Sequence, residues 1–535
     1  CNICVSRISL TTTTMETHVA CTGNGDIEVN SNHCNNINVI QPQEPFPSTE
    51  VCDNDQDLEE ELPWWFPHFR GQPVFYGNIE ALGYVIEGSG RAIALVSASA
   101  FLATILLNKV KEDAGCETEA PEGETLPPCD GRVYGFRPSS LLSVYTVVFS
   151  LVSAFLMPLF GALVDYTPHR RLMGRCFSVI LSLFLIPSIF VMVAPWELVG
   201  IAFFIVTVTS WGETVVCNAY IPELTNDENI LRYFTTMFVV VPFGSVVLFL
   251  MTVVGISYGL SIHNDDGKVA KFAQISSFVI CVLCLGLAWG CFLRKRPAKN
   301  QLGPGKRIFT EGFKQIYRTS CNIYNNYHAL KWFYIATAFG EAALVTITPI
   351  ALNYQIDVLQ FTSIESGTTL FIALISTLPG AAFGSFITRL SNPIWSSAIS
   401  ITILAIATGV YAGILVGPGQ QTEAYVLMMC FGMASGWKWT CDKMLAASLI
   451  PWGQEAELMA LHSSASMIMS WLPPVVFTAM NEAGINQRVG LAVVNIYFVI
   501  SFACYMMMGS YKAALGRVDR LPSSPIATKM TEQEV

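Results

Sequence analysis

Twelve long apolar stretches recur along this chain of 535 residues, and they constrain its fold more than any other feature. Each has about 20 residues or more, which is the length that an α-helix needs to cross a bilayer. Within the hydrocarbon core only helices and closed barrels satisfy their backbone groups, and stretches this uniformly apolar favour helices. The sequence therefore predicts an all-α membrane protein. The stretches are 78–107, 138–164, 173–194, 197–221, 233–260, 272–293, 329–353, 366–388, 392–416, 423–449, 458–480 and 489–511.

The composition supports this class and argues against others. Charged residues make up 13% of the chain and hydrophobic residues 52%, whereas soluble domains carry about 25% charged residues. The net charge of −10 comes largely from the N-terminal tail and one loop, and the absence of a basic stripe argues against nucleic-acid binding. The sequence shows no nucleophile–base pairing, metal-ligand spacing or phosphate loop, so we predict no enzyme activity, no metal and no cofactor.

The longest polar connection follows the sixth apolar stretch and is rich in lysine and arginine. It divides the chain into six helices, a basic loop and six helices, which is typical of a transporter built from two parallel six-helix repeats. We therefore predict twelve transmembrane helices in two six-helix bundles. The expected segments are a disordered acidic tail (1–77), an N-terminal bundle (78–293), a basic loop (294–328), a C-terminal bundle (329–511) and a C-terminal tail (512–535).

The distribution of basic residues predicts the orientation. Lysine and arginine are concentrated in the connections 166–172 and 294–328 and in the C-terminal tail, so the positive-inside rule places both termini in the cytosol. Cys116 and Cys129 then lie in an acidic loop on the opposite side. They form a disulfide if that loop faces an oxidising compartment, and the sequence leaves this open. We expect a monomer embedded in the lipid bilayer.

Charged residues in the interiors of the apolar stretches, away from their ends, are few, and they fall on the first, fourth, seventh and tenth. A charge near the bilayer centre costs about 2.5–3.5 kcal/mol or more, so its presence indicates a functional site by default. These stretches are corresponding members of successive three-helix units, and we expect their charges to face one hydrated cavity. The candidate substrate-binding residues are Glu87, Arg91, Glu213, Glu341, Lys438 and Asp442.

Two interpretations of the paired charges stay open. Glu87 and Arg91 are spaced i,i+4, as are Lys438 and Asp442, so each pair either binds substrate or neutralises itself. A cavity with charges of both signs suits a zwitterion such as an amino acid, although other polar solutes also fit. Lys443 lies near the helix end, where its long side chain can reach the membrane surface.

The two remaining carboxylates are candidates for proton coupling. Glu341 has no partner within its own helix, and desolvation favours the protonated form of a lone buried carboxyl. Glu213 lies in the last turns of its stretch, where it faces either the cavity or the membrane interface. The sequence therefore predicts protons as possible partners of the small-molecule substrate.

A short motif follows the second stretch: a glycine, an acid four residues later and paired arginines. It resembles the signature loop of the major facilitator superfamily, with the arginines one residue later than usual. The resemblance implies the major facilitator fold, in which the first, fourth, seventh and tenth helices line a central cavity. It also implies a conformational latch, for which a positive-inside cap is the alternative. The latch residues are Gly161, Asp165, Arg170 and Arg171; a second copy without the acid spans Gly380 to Arg389.

A longer pattern lies near the C-terminus: IPWGQEAEL at 450–458, SWLPP at 470–474 and FTAMNE at 477–482. It closely resembles the autophagy-related protein 22-like vacuolar effluxer family, over roughly residues 138–505. The resemblance implies export of neutral amino acids from vacuole or lysosome to cytosol during autophagic recycling. The alternatives are a facilitator for another small polar solute, such as a sugar or organic ion, and a non-transporting autophagy scaffold. Pro473 and Pro474 should kink the eleventh helix.

Overall fold

A computed structural model describes residues 66–69, 72–116, 129, 131–225, 228–298, 307–450 and 467–518, with single positions at 458, 461, 462 and 465. The described residues do not include 1–65 of the predicted N-terminal tail (1–77), 519–535 of the predicted C-terminal tail (512–535) or the motif residues 451–457. Apart from a hairpin of two-residue strands, β1 (His68–Phe69) and β2 (Gln72–Pro73), the regular structure of the described part is helical. This confirms the predicted all-α class.

Twelve helices match the predicted apolar stretches. Among the described residues, ten of them are long and apolar enough to cross a membrane. The other two are α10, which carries the charges of the tenth stretch, and α11, of which only the last part is described as a continuous helix. The helices are α1 Ile79–Asp113, α2 Pro138–Tyr166, α3 Arg170–Ile189, α4 Trp196–Asn218, α5 Glu228–Gly259, α6 Asp266–Phe292, α7 His328–Asp357, α8 Ser363–Leu390, α9 Pro393–Ile414, α10 Gln421–Leu449, α11 Leu472–Glu482 and α12 Gln487–Met507.

Local features interrupt regular α-helix at several places, including a turn at Val494 within α12. The chain forms π-helical turns at Ala98–Leu102 within α1 and at Ala288–Phe292 at the end of α6. The described part of α11 begins at Leu472, with both prolines of the 470–474 motif in its first turn. A proline lacks the donor that an interior position needs but fits a first turn. Instead of the expected kink within a continuous helix, the structure has a break before Leu472, where a new helix begins.

The basic connection, predicted as a loop, contains a helix at Ile308–Asn326, which we call the connecting helix; a short C-terminal helix, Tyr511–Val518, follows α12. Apolar residues of the connecting helix recur at helical spacing and pack on α2, where the ring of Phe313 lies 5.5 Å from that of Phe155. Its opposite side exposes Lys314 and Arg318. Because the segment is rich in basic residues, it was predicted as a loop, although its apolar residues recur with the period of an amphipathic helix.

Small residues pack α8 directly against α10. A Cβ added at Gly436 would lie 2.1 Å from the carbonyl oxygen of Thr377, and one at Gly380 would lie 2.1 Å from that of Met433. Glycine spacing of this kind lets helix backbones approach closely inside a membrane. The second copy of the signature spacing is thus a packing element, and it fixes how α10 presents its charged residues.

The loop between α1 and α2 closes with a disulfide between Cys116 and Cys129, whose Cα atoms are 5.7 Å apart. The sequence left this bond open, and the structure contains it. We call this end of the molecule the disulfide face. The opposite end, where α2 meets α3, is the signature-loop face.

Polar contacts join the two halves of the chain at the disulfide face. Lys111 at the end of α1 forms an ion pair of 2.8 Å with Asp357 at the end of α7. The amide of Asn481 in α11 donates to the hydroxyl groups of Ser139 and Ser140 in α2, at 3.0 and 2.6 Å. These contacts hold the start of the second helix against the eleventh and hold the first against the seventh.

Candidate functional site

Three charged residues of α7 and α10 form a buried group, here called the C-cluster: Glu341, Lys438 and Asp442. The i,i+4 spacing on α10 places Lys438 and Asp442 on one side of the helix, and the ammonium of Lys438 lies 2.7 Å from Asp442 Oδ2. The same ammonium pairs with Glu341 Oε1. Lys438 is 0% exposed, Asp442 3% and Glu341 9%. The predicted intrahelical pair exists, and it extends to a second helix.

Every carboxylate oxygen of the C-cluster has a donor. Asp442 Oδ1 accepts hydrogen bonds from the hydroxyl groups of Ser397 in α9, at 3.1 Å, and Tyr505 in α12, at 2.6 Å. Glu341 Oε2 accepts from the indole nitrogen of Trp439, at 3.3 Å. Buried charges are stable when they are paired and hydrogen-bonded in this way. The C-cluster is therefore internally satisfied, with two carboxylates around one ammonium.

A second group, the N-cluster, consists of Glu87 and Arg91 on α1 and Glu213 on α4. Arg91 Nε donates to Glu87 Oε1 at 2.7 Å, which again realises an i,i+4 pair of the sequence. Glu213 Oε1 accepts from the hydroxyl of Ser178 in α3, at 2.7 Å, and from the indole nitrogen of Trp289 in α6, at 2.6 Å. Glu213 is 0% exposed, so it lies in the interior of the bundle.

The N-cluster, unlike the C-cluster, contains carboxylate oxygens without donors. Glu87 Oε2 and Glu213 Oε2 are buried, and neither has a hydrogen-bond partner among the described residues. The charges of both Glu87 and Arg91 act on Glu213. A buried acceptor without a partner loses its hydration and receives nothing in exchange. These two oxygens are therefore the places in the site where a proton or a ligand donor would be bound most favourably.

The two clusters occupy corresponding helices of the two halves. The N-cluster is built from α1 and α4 with support from α3 and α6, and the C-cluster from α7 and α10 with support from α9 and α12. A sequence signal for this relation exists: Glu213 precedes Ile221-Pro222 by eight residues, and Asp442 precedes Ile450-Pro451 by eight residues. Our sequence interpretation missed it, and with it the supporting residues Ser178, Trp289, Ser397 and Tyr505.

The six candidate residues thus form two groups. Each of their hydrogen bonds and ion pairs to the described part of the chain stays within its own half. Lys443, the third charge of α10, is exposed and lies outside the C-cluster. The contacts form two separate sets of similar composition, each inside one bundle, and the shared hydrated cavity stays a prediction.

The signature loop holds the ends of α4 and α6. Arg170 is buried; its Nε donates to the carbonyl of Val164 at 3.0 Å, and its Nη1 donates to Glu223 Oε1 at 2.6 Å. Arg171 Nε and Arg175 Nε both donate to the carbonyl of Trp289, at 3.2 and 3.0 Å. We call the contacts of Arg171 and Arg175 with the end of α6 the arginine clamp.

The two other predicted latch residues are Asp165 and Gly161. Asp165 lies in the last turn of α2. A Cβ added at Gly161 would meet no atom of the described residues within 4 Å, so no neighbouring helix packs closely against this glycine in this conformation.

A family model described as "Vacuole effluxer Atg22 like" matches residues 80–239 and 234–515. The chain belongs to this family. The match confirms the resemblance seen in the 450–482 motif, and it extends it over nearly the whole helical part of the Atg22-like chain. The family and the fold together identify this Atg22-like protein as a membrane transporter of the major facilitator type.

Solved structures show the fold of the Atg22-like chain independently. It is similar to the xylose transporter XylE from E. coli in an inward-open conformation (TM-score 0.56, 14% identity, 83% of this chain and 100% of that chain covered). It is also similar to the nucleoside transporter NupG (TM-score 0.53, 11% identity, 81% and 100% covered) and to the human organic anion transporter MFSD10 (TM-score 0.52, 12% identity, 81% and 100% covered). No curated protein matches this chain.

Proposed function

We propose that this protein exports neutral amino acids from vacuole or lysosome to the cytosol by alternating access, in support of autophagic recycling. The family description supports the efflux and the compartment. One observation carries the substrate class. In the N-cluster, the Nη groups of Arg91 and the Oε2 atom of Glu87 lie in neighbouring side chains, and none of them has a hydrogen-bond partner among the described residues. A zwitterion presents one group to each of them.

The guanidinium of Arg91 is the better anchor for a substrate carboxylate. Its Nε is bonded to Glu87, whereas neither Nη group has a hydrogen bond or ion pair within the described part of the chain. Its side chain is 17% exposed, more than that of Glu87 or Lys438. Two adjacent N–H groups bind a carboxylate in a bidentate manner. Lys438, the other candidate, is fully buried and already holds two carboxylates.

The same comparison assigns the other roles. Glu87 Oε2 accepts the substrate ammonium, because it is the unpartnered oxygen next to Arg91. Glu213 carries the coupling proton in preference to Glu341, since Glu341 is neutralised by Lys438 and has a donor on each oxygen. The C-cluster then serves as the structural counterpart that holds the second bundle together.

Alternating access follows from the division of the contacts. The described conformation joins the halves at the disulfide face through Lys111 and Asp357 and through the contacts of Asn481. Both termini, and with them the signature-loop face, are cytosolic in this proposal, and the disulfide face is luminal. The structure then corresponds to a state closed towards the lumen, and release of these contacts would open the luminal side.

A counterflow assay tests the proposal. Purified protein is reconstituted in liposomes loaded with unlabelled leucine or tyrosine, and the entry of labelled amino acid is compared with that of xylose, uridine and an organic anion. We expect exchange of neutral amino acids, and we expect Arg91→Gln to reduce it at least about tenfold, equivalent to ~1.4 kcal/mol of binding free energy.

The matched control is Arg318→Gln, because Arg318 is a 58% exposed arginine of the connecting helix, away from both clusters. It should leave exchange unchanged. Exchange of the sugar, nucleoside or anion instead of amino acids would overturn the substrate class. Equal exchange by the Arg91→Gln and Arg318→Gln proteins would overturn the role of Arg91.

A further inference from the structure

We infer that Trp289 links the buried carboxylate of Glu213 to the arginine clamp, so that the signature-loop face responds to what the N-cluster binds. Trp289 is a positioning residue in this inference, because it acts on the gate through other groups. The inference rests on the proposed function in one respect, namely that the charge of Glu213 changes during transport.

Trp289 makes contacts in two directions. Its indole nitrogen donates to Glu213 Oε1 at 2.6 Å, towards the N-cluster. Its main-chain carbonyl accepts from Arg171 Nε at 3.2 Å and from Arg175 Nε at 3.0 Å, towards the signature-loop face. One residue therefore belongs both to the hydrogen-bond shell of the site and to the latch.

The indole ring has no room to move without its backbone. Trp289 is 1% exposed. A Cβ added at Gly174 on α3 would lie 2.3 Å from the ring, so the helix backbone is in direct contact with it. The ring of Tyr220 packs on it edge to face, with 6.2 Å between centroids. Close-packed interiors transmit a displacement because they contain little free volume.

The backbone at this point is the one part of α6 that departs from regular α-helix. Trp289 lies in the π-helical turn Ala288–Phe292, which Leu293 closes by donating to the carbonyl of Ala288 at 2.9 Å. The last carbonyls of a helix have no partner within the helix. Those of Trp289 and Gly290 are satisfied by Arg171 and Arg175, whose positive charges also suit a helix C-terminus.

The coupling follows from the strength of the indole bond. A hydrogen bond to an ionised carboxylate is roughly twice as strong as a neutral one. When Glu213 takes up a proton or its charge is compensated by a ligand, the bond from Trp289 weakens. The indole nitrogen then loses much of its attraction to the N-cluster, while the hydrogen bonds on the signature-loop side remain, and the end of α6 can shift together with Arg171 and Arg175.

Several other groups face Glu213 and belong to the same charge balance. They are Glu87 and Arg91 of α1, Cys217 of α4 and Cys281 of α6, with the Ser178 hydroxyl of α3. Of the described residues that hydrogen-bond to Glu213, Trp289 is the one that also accepts hydrogen bonds from the arginine clamp. A change at Trp289 therefore removes the link to the gate, while Glu87, Arg91 and the Ser178 hydroxyl remain around Glu213.

The test measures the end of α6 directly. Cys291, two residues after Trp289, is exposed. Full-length protein is treated with a maleimide at about pH 5.5 and about pH 7.5, with a model thiol correcting for thiolate content. The labelling rate is read by mass spectrometry of the peptide that contains Cys291.

We expect the corrected rate for the unaltered chain to differ between the two pH values by at least about fivefold, a typical coupling between two sites. Trp289→Phe keeps an aromatic ring but removes the indole donor, so the pH difference should disappear. Glu213→Gln should fix the rate near its low-pH value. Loss of the difference in Arg175→Gln, which removes one of the two arginines of the clamp, would support the link without altering Trp289.

The matched control is Trp196→Phe. The indole of Trp196 also donates to a carboxylate, that of Asp113, but at the disulfide face. This variant should keep the pH difference. The inference is overturned if Trp289→Phe and Arg175→Gln both retain the difference, or if the unaltered chain shows none. A chain that fails to exchange amino acids but shows the Trp289-dependent response would refute the proposed substrate and leave the link in place.

Discussion

The N-cluster and the C-cluster carry similar charges on corresponding helices, yet they differ in how their charges are satisfied. In the C-cluster, Lys438 lies between two carboxylates, and each of the four oxygens has a donor. In the N-cluster, Glu87 and Glu213 each keep one oxygen without a partner among the described residues. The C-cluster is therefore closed, in the sense that each of its carboxylate oxygens has a donor. The N-cluster is open, in the sense that two of its carboxylate oxygens have no partner among the described residues.

The difference separates stability from function within one architecture. A closed cluster gains nothing from an additional ligand, because its donors and acceptors are already matched. An open cluster keeps unpaired groups at a cost in folding free energy, and such costs concentrate at functional sites. We therefore expect substitutions in the C-cluster to act mainly on stability and substitutions in the N-cluster to act mainly on transport.

Removal of the central cation should give the largest contrast. Lys438→Ala leaves Glu341 and Asp442 buried without their cation, which should lower the free energy of unfolding by about 3–5 kcal/mol. Arg91→Ala should cost about 1–2 kcal/mol, because Arg91 is partly exposed and water can replace it. Thermal unfolding of the detergent-purified proteins measures both changes. Equal losses in the two variants would show that the clusters do not differ.

Neutralising one carboxylate in each cluster should give an intermediate effect. Glu341→Gln weakens the contact with Lys438 and should cost about 2–3 kcal/mol, the upper range for hydrogen bonds to charged groups. Glu213→Gln should leave stability nearly unchanged and abolish the dependence of transport on a pH gradient, since an amide cannot carry the proton. Counterflow with and without a gradient, together with unfolding curves, distinguishes the two. A proton-coupled Glu213→Gln protein would contradict the assignment.

Single supporting hydroxyl groups should have smaller effects. Tyr505→Phe removes one of the two donors to Asp442 Oδ1, and we expect a loss of about 1–2 kcal/mol with transport retained. Ser178→Ala removes the equivalent donor to Glu213, and we expect it to shift the pH profile of transport. The contrast between the clusters is supported if Tyr505→Phe changes only stability and Ser178→Ala changes only the pH profile of transport. It fails if Tyr505→Phe alters the pH profile instead.

An exposed pair outside the membrane gives the baseline. Asp265 and Lys268 pair at 2.9 Å with side chains 44% and 68% exposed, and the hydrogen bond from Lys268 lowers the pKa of Asp265. A carboxyl with a lowered pKa stabilises the folded state at neutral pH, and this contribution is lost as the pH falls through the folded pKa. Because solvent screens the pair, Lys268→Ala should cost ~0.5 kcal/mol or less at neutral pH. A larger loss of unfolding free energy in Lys268→Ala would contradict the expectation that an exposed ion pair stabilises this protein less than a buried one.

The sequence alone determined the features that depend on neighbouring positions. The apolar stretches specified the helices, because backbone groups in a bilayer have no alternative to intrahelical bonds. The pairs Glu87–Arg91 and Lys438–Asp442 were readable for the same reason, since i,i+4 spacing places two side chains on one side of a helix whatever the rest of the chain does. The family was readable from the 450–482 motif.

Tertiary structure decided which charges are satisfied. The partner of Glu341 is 97 residues away at Lys438, and the donors to Glu213 are 35 and 76 residues away at Ser178 and Trp289. Helix spacing does not encode such distances, because they depend on which side of each helix the packing turns inward. The glycines that press α8 on α10, and the arginines that hold the end of α6, fix those orientations in space. The difference between the open and the closed cluster therefore exists only in the folded molecule.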